Sequence, residues 1–298
     1  MISSASQADL EKALRHYPLG ELRATQRIER GFVNENWIVT TEHGRYFLKR
    51  RHPALRQYKV IRAQHDLVRR LRQLGFPAPA LVSTTRDETL LTQDGEFYEI
   101  QEYIEGEPYD DERLEHLEEA ALMLARYCMC VQGFAPQALR QPGKLYNPTL
   151  AKTALIHLIQ AWRLDQDPEL SSIIRQLQAH VADLAARFAR HGSLPYLIIH
   201  GDYYAGNLLF EGNYIIGVVD YDKARWQPRV VELAEALIYF ASPRPGPLQY
   251  LVYSGSLDPL IITAMSISVG SIVVVGGILL YRKRLRKSQL VQVGSELE

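Results

Sequence analysis

The chain has 298 residues, 47% of them apolar, and its 34 lysines and arginines are balanced by 34 aspartates and glutamates. That size supports a full core in one large domain or two lobes, while the neutral balance argues against nucleic acid as a partner, because holding a phosphate backbone needs a basic surface. The two cysteines, Cys128 and Cys130, form a Cys-x-Cys pair with no His or Cys at zinc-finger spacing, and they read as reduced thiols.

The residues Met1 to Gly20 lack the apolar core of a signal peptide. They predict instead an amphipathic helix over Gln7 to His16, with Leu10, Ala13 and Leu14 on one face. Extended stretches follow at Gln26–Gly31 and Asn36–Thr41, then a Glu42-His43-Gly44 turn and a strand over Arg45–Arg50, where Tyr46 and Leu48 alternate with Arg45, Phe47 and Lys49. A strong helix is predicted over Val60 to Leu74. Val60, Leu67, Leu71 and Leu74 share helical spacing, Val68 widens the stripe, Gly75 caps it and Pro77 stops it. Short strands at Ala80–Ser83, Thr89–Thr92 and Glu96–Ile104 come next, with a turn at Asp94-Gly95.

After Gly106-Glu107-Pro108 the pattern becomes helical, at Glu112–Val131, Leu150–Leu164 and Leu170–Arg190. The chain turns extended at Tyr196–His200. It makes a loop and forms a hairpin from Leu208–Phe210 and Tyr214–Asp220 across Glu211-Gly212-Asn213, before a helix over Val230–Phe240. The expected fold class is α+β: a small β-rich lobe over residues 1–104, a connector near Gln101–Pro108, and a larger helical lobe over 105–250.

The run His200-Gly201-Asp202-Tyr203-Tyr204-Ala205-Gly206-Asn207 carries the chemistry, together with Asp220 in Gly217-Val218-Val219-Asp220-Tyr221-Asp222. Asp202 and Asn207 stand at D-x-x-x-x-N spacing in a loop, which lets a carboxylate face an acceptor hydroxyl while a carboxamide oxygen reaches a metal. Asp220 follows a hairpin that returns the chain to the same place, where it can supply a second oxygen ligand. Phosphoryl transfer from Mg-ATP requires this set: a base at the hydroxyl and oxygens to hold metal against phosphates. Gly201 and Gly206 are expected to take backbone angles that other residues resist.

These motifs, His200–Phe210 with Ile216–Asp222, resemble the catalytic and metal-binding motifs of the aminoglycoside phosphotransferase family, which includes choline kinase-like and type II homoserine kinase-like enzymes. The resemblance covers about residues 20 to 245. It implies a protein-kinase-like bilobal fold and an ATP-dependent small-molecule kinase with Mg2+. Asp202 would be the catalytic base, Asn207 and Asp220 the metal ligands, and His200 a brace for the loop. Lys49 resembles the third-strand lysine that pairs with ATP phosphates; on its own it reads equally as a solvated strand lysine. The loop Arg30-Gly31-Phe32-Val33-Asn34-Glu35-Asn36 stands where a phosphate-covering glycine loop would be, with Gly31 its only glycine. Gln101, Glu102, Tyr103 and Ile104 resemble the hinge whose backbone would bond adenine. Asp222 and Arg225 are candidates to anchor the metal loop, with a surface ion pair as the plainer alternative.

One residue departs from the family pattern. Gln64 stands where the family helix offers a glutamate to the lysine, and a glutamine cannot form that ion pair. The expectation is weakened nucleotide affinity or turnover. A membrane-tethered pseudokinase that binds nucleotide without turnover is the alternative function.

Beyond the kinase-like region, Leu260 to Tyr281 runs 22 residues without a charge and is followed by a basic tail over 282–298. As a helix it would extend about 33 Å, enough to cross a bilayer. The expectation is a single membrane-spanning helix in contact with lipid, with the catalytic domain in the cytoplasm; the alternative is a soluble cytoplasmic protein. Family members usually continue with further helices past the segment matching Val230–Phe240, which implies a shortened helical lobe.

Overall fold

The computed structural model describes residues 5–28, 33–140 and 194–241, together with scattered helical positions between 153 and 186. The expected glycine-loop residue Gly31, the apolar stretch 260–281 and the basic tail 282–298 lie outside the described residues. The chain divides into two compact units, Met1–Pro142 with Pro195–Ala236, and Gly143–Leu194 with Leu237–Glu298. Described positions of the second unit, such as 155–157 and 181–183, are helical, as their apolar spacing predicts. Every residue discussed below as part of the site belongs to the first unit.

That unit opens with helix α1 (Gln7–Leu14). Ser6 and Asp9 cap it reciprocally: the Asp9 N–H donates to Ser6 Oγ at 3.2 Å and the Ser6 N–H donates to Asp9 Oδ2 at 2.9 Å. Its apolar side, Leu10, Ala13 and Leu14, joins Trp37, Val39, Leu48, Tyr98 and Ile100 in one core cluster. These residues come from a sheet of β1 (Leu22–Ile28), β2 (Glu35–Thr41), β3 (Gly44–Arg50), β4 (Leu81–Val82), β5 (Leu91–Gln93) and β6 (Glu96–Glu102). The order is β1-β2-β3-β6-β4, with β5 also paired to β6, and every pairing is antiparallel.

The alternation expected along β3 breaks down at its end, where Leu48, Lys49, Arg50 and the following Arg51 are all buried. Both faces are covered there. Leu48 points into the α1 core, whereas Lys49 and Arg51 point into a network of acids on the other side. The solvated reading of Lys49 is thereby overturned, since it is 3% exposed.

Helix α2 (Tyr58–Gln73) buries Ile61, Gln64, Leu67, Val68 and Leu71. Leu74, expected in that stripe, is half exposed because the helix has already ended. Gly75 takes φ +72° and the Phe76 N–H returns to the Leu71 carbonyl at 2.9 Å.

The connector contains a strand that was not anticipated, β7 (Glu107–Pro108), which pairs with the hairpin formed by β9 (Leu208–Glu211) and β10 (Tyr214–Val218). Helix α3 (Leu114–Cys130) precedes β8 (Tyr196–Ile199). A second unanticipated strand, β11 (Arg225–Pro228), pairs with β8 in the register Arg225↔Ile199 to Pro228↔Tyr196. Its sequence, Arg-Trp-Gln-Pro, has no alternation to betray it. The pairing closes the functional loop, because it brings residues 199 and 225 side by side. Helix α4 (Arg229–Ala241) follows.

Candidate active site

The functional loop starts at Gly201, which takes φ +73°. A Cβ there would lie 2.0 Å from Arg225 Nη1 and 2.6 Å from the Lys223 carbonyl, so only glycine fits. Gly206 serves differently from expectation. Its φ is not positive; instead a Cβ would stand 2.6 Å from the Tyr204 ring, so the residue is small because an aromatic ring lies over it.

His200 braces the loop, as the resemblance implies. It is fully buried, and its Nε2 donates to the Val219 carbonyl at 3.2 Å, tying the loop to the end of β10. Burial lowers its pKa below the ordinary histidine value, favouring the neutral ring. The main-chain N–H of His200 donates to the carboxylate of Glu232 on α4. Glu232 is itself wholly buried, and burial with Glu235 nearby pushes its carboxyl up to about 8.

Asp202, Asn207 and Asp220 converge. Asn207 Nδ2 donates to the Asp202 carbonyl at 2.9 Å and lies 3.5 Å from Asp202 Oδ2. The amide nitrogen being committed to Asp202, Oδ1 is the side-chain atom of Asn207 with the lone pairs to hold a cation. The Val219 N–H donates to the Asn207 carbonyl at 3.0 Å, which seats Asp220 beside it. Asp220 takes φ +66°, a left-handed conformation uncommon for a non-glycine residue and found at functional sites. Its side chain is 43% exposed. Burial and Asp202 act to raise its carboxyl, but Lys49 outweighs them and holds it below the usual value.

Lys49 joins this group. Its Nζ lies 2.8 Å from Asp222 Oδ1, 3.3 Å from Asp220 Oδ1 and 3.7 Å from Glu99 Oε1. Burial alone would lower its pKa, yet Asp220, Asp222 and Glu99 together raise it above the ordinary value, so the ammonium stays charged. Asp222 and Arg225, candidates to anchor the metal loop, do so separately. Asp222 accepts from Arg51 Nη1 at 2.8 Å and from Asn34 Nδ2 at 2.6 Å, while Arg225 Nη2 donates to Glu235 Oε1 at 2.8 Å.

The hinge segment Gln101–Ile104 adjoins the group. Gln101 Nε2 donates to Glu99 Oε1 at 3.3 Å. Two backbone donors are already engaged: the Glu102 N–H to the Ala80 carbonyl at 2.8 Å and the Tyr103 N–H to the Arg45 carbonyl at 3.4 Å. Ile104 packs on Gly217 of β10, where a Cβ would meet its Cδ1 at 3.1 Å.

Four residues escaped the sequence reading. Lys223 Nζ lies 2.7 Å from Asp202 Oδ1. Glu99 is buried among Arg51, His65 and Lys49. Asn34 joins the loop before β2 to Asp222. Glu232 accepts the His200 N–H. The Lys223 signal was its place directly after Asp220-x-Asp222, inside the loop that the hairpin folds back; the others have no local signature.

The donors present fit magnesium. Asp220 is a half-exposed carboxylate and Asn207 bonds Asp202 through its amide nitrogen rather than its carboxamide oxygen, so the two offer hard oxygens of the kind that hold Mg2+ when phosphates and waters complete its shell. No group of three or more His, Cys, Asp or Glu able to hold a metal occurs among the described residues. A site that shares its ion with nucleotide phosphates needs no such cage.

A family model described as "Phosphotransferase enzyme family" matches residues 24–256. A homoserine kinase of Pseudomonas aeruginosa (strain LESB58) is 27% identical over 249 residues, covering 81% of this chain and 72% of that protein. Among solved structures, an amicoumacin kinase in complex with AMP-PNP and Ca2+ superposes with TM-score 0.61 at 14% identity, over 90% of this chain and 77% of that one. A choline kinase from Cryptosporidium parvum gives TM-score 0.56 at 14% identity, over 97% and 92%. These likenesses support the protein-kinase-like bilobal fold, and ATP and Mg2+ are the cofactors of this family. The chain belongs to the phosphotransferase enzyme family and is a small-molecule kinase.

Proposed function

We propose that the protein moves the γ-phosphoryl group of Mg-ATP to the hydroxyl of a small amino alcohol, with homoserine and related compounds first among the acceptors. The observation that carries the reaction type is the convergence of Lys49, Asp202, Asn207 and Asp220. The acceptor class is supported by the names of curated relatives, homoserine kinases at 24–27% identity. Residues 1–104 would hold the nucleotide and 105–250 the catalytic loop.

Asp202 would take the hydroxyl proton as the acceptor oxygen bonds to phosphorus and the bond to the ADP oxygen breaks. Lys223 holds one Asp202 oxygen at 2.7 Å, which fixes the side-chain rotamer and leaves Oδ2 beside Asn207 to face the acceptor. Asn207 and Asp220 would hold the magnesium ion, which when bound neutralises charge across the phosphates. Lys49 would bring its ammonium to the same phosphates; buried and permanently charged, it acts in a low-dielectric setting where such a contact is strong. Gln101 to Ile104 would present the remaining hinge backbone groups to adenine, and Gly31, outside the described residues, keeps its sequence assignment to the phosphates. The intact trio disfavours a module without turnover.

The apolar stretch 260–281 carries the membrane reading, supported by its 22 uncharged residues and the basic tail behind it. Among the described residues no helix is long and apolar enough to cross a membrane.

The test is phosphoryl transfer from γ-labelled ATP to a panel of hydroxyl acceptors. Labelled product with one of the amino alcohols, absent in Asp202→Ala, is expected. ATP that stays intact with every acceptor contradicts the proposal.

A further inference from the structure

Resting on that kinase reading, we infer that Glu99 of β6 is the carboxylate that positions Lys49 for nucleotide phosphates, in place of a glutamate from helix α2. Lys49 and Glu99 are direct cross-strand partners in the β3–β6 register, so their side chains leave the sheet on the same face. Glu99 Oε1 stands 3.7 Å from the lysine nitrogen, and the carboxylate is 0% exposed.

Its other oxygen is fixed from three directions. Arg51 donates to Glu99 Oε2 through Nε at 3.0 Å and Nη2 at 2.7 Å, and His65 Nε2 lies 2.9 Å away. His65 is held in turn by Thr89 Oγ1 at 2.8 Å from its Nδ1. Burial alone would raise the Glu99 carboxyl, but Arg51, the hydrogen bond with His65 and Lys49 hold it well below the usual range, so it is ionised. A carboxylate clamped this way on a strand next to the lysine cannot wander.

Gln64 is committed elsewhere. Its Nε2 donates to the main-chain carbonyl of Asp222 at 2.7 Å, and its Oε1 is buried without a hydrogen-bond partner among the described residues. A glutamate here would set a carboxylate oxygen against that carbonyl and forfeit the bond. The residue links α2 to the metal loop rather than serving the lysine. Lys49's shorter contacts, to Asp220 and Asp222, come from that loop and are the ones that metal and phosphates must rearrange. Glu99 belongs to the sheet and stays. The lysine therefore keeps a counter-charge carried by its own sheet, which Arg51 and His65 of α2 hold in place.

Calorimetric binding of ADP and of adenosine, which lacks phosphates, separates this role from a general packing role. Glu99→Gln is expected to weaken ADP about tenfold or more while changing adenosine less than about twofold. Glu99→Asp should recover part of the loss. Gln64→Glu is expected to bring no gain in ADP affinity; it also decides the matter if Glu99→Gln does not fold. Unchanged ADP affinity in Glu99→Gln, equal loss for ADP and adenosine, or tighter ADP binding in Gln64→Glu would each overturn the assignment. If the unaltered protein binds no ADP, the kinase reading itself falls, and this role with it.

Discussion

Lys223 Nζ rests 2.7 Å from Asp202 Oδ1, so the proposed catalytic base carries its own cation in the loop that follows Asp220. The lysine is 39% exposed at its side chain, and the pair is worth little to stability. Its value lies in orienting Asp202. Lys223→Met is expected to lower kcat about tenfold with KM for ATP nearly unchanged, because the base remains but samples more rotamers. Steady-state kinetics with the acceptor found in the transfer screen check this; a rise confined to KM for ATP contradicts it.

Asp202→Asn keeps shape and size while removing the base. A positioned base contributes about 10²- to 10⁴-fold, and a loss of kcat in that range is expected. ADP affinity should stay near that of the unaltered protein, since Asp202 is assigned to the acceptor side. Thermal denaturation with and without ADP shows whether nucleotide binding survives.

Gly201→Ala should destabilise the fold by more than about 2 kcal/mol. The added methyl meets Arg225 Nη1 and the Lys223 carbonyl, at a φ of +73° that alanine resists. Gly212, also at positive φ, has nothing within 4 Å of its would-be Cβ, so Gly212→Ala should cost only the backbone strain, about 1 kcal/mol. Urea denaturation of the two variants gives the comparison.

Glu232 gives stability a pH dependence. Its folded carboxyl, at about 8, lies above the ordinary 4.5, so the folded state binds the proton more tightly than the unfolded chain. The contribution is full below about pH 4.5 and is lost as pH rises through about 8, at a slope of up to about 1.4 kcal/mol per pH unit. Glu232→Gln keeps the carbonyl oxygen that can accept the His200 N–H and has no charge to bury. Its stability should therefore gain on the unaltered protein as pH rises from 5 to 8; parallel curves over that range would falsify the buried-acid account.

The elements that were legible in the sequence were those with period or punctuation. Helix α1 announced itself through Leu10, Ala13 and Leu14, the hairpin β9–β10 through Gly212, and the loop trio through fixed spacing. Strand β11 was not legible, because a four-residue strand ending in proline has no period to read. Glu99 was hidden for a different reason. In Glu96-Phe97-Tyr98-Glu99-Ile100-Gln101-Glu102 the acids three apart fall on alternate faces and mark neither as buried, whereas β6 is central and the face of Glu99 holds Arg51 and His65. Gln64 was recognised as a departure from the family pattern, but its consequence depends on Glu99, the cross-strand partner of Lys49, which only the register supplies. The stripe on α2 was placed correctly at Leu67, Val68 and Leu71 and failed at Leu74, where the cap had already turned the chain.

The central claim is that Asn207 and Asp220 offer two oxygens to one magnesium ion beside the phosphates that Lys49 meets. Titration of Mg2+ against the ADP-bound protein, compared with Asn207→Ala and Asp220→Ala, tests it most directly. Both substitutions are expected to weaken Mg2+-dependent ADP binding about tenfold or more, while adenosine binding stays the same. Magnesium affinity equal in all three proteins would contradict the account.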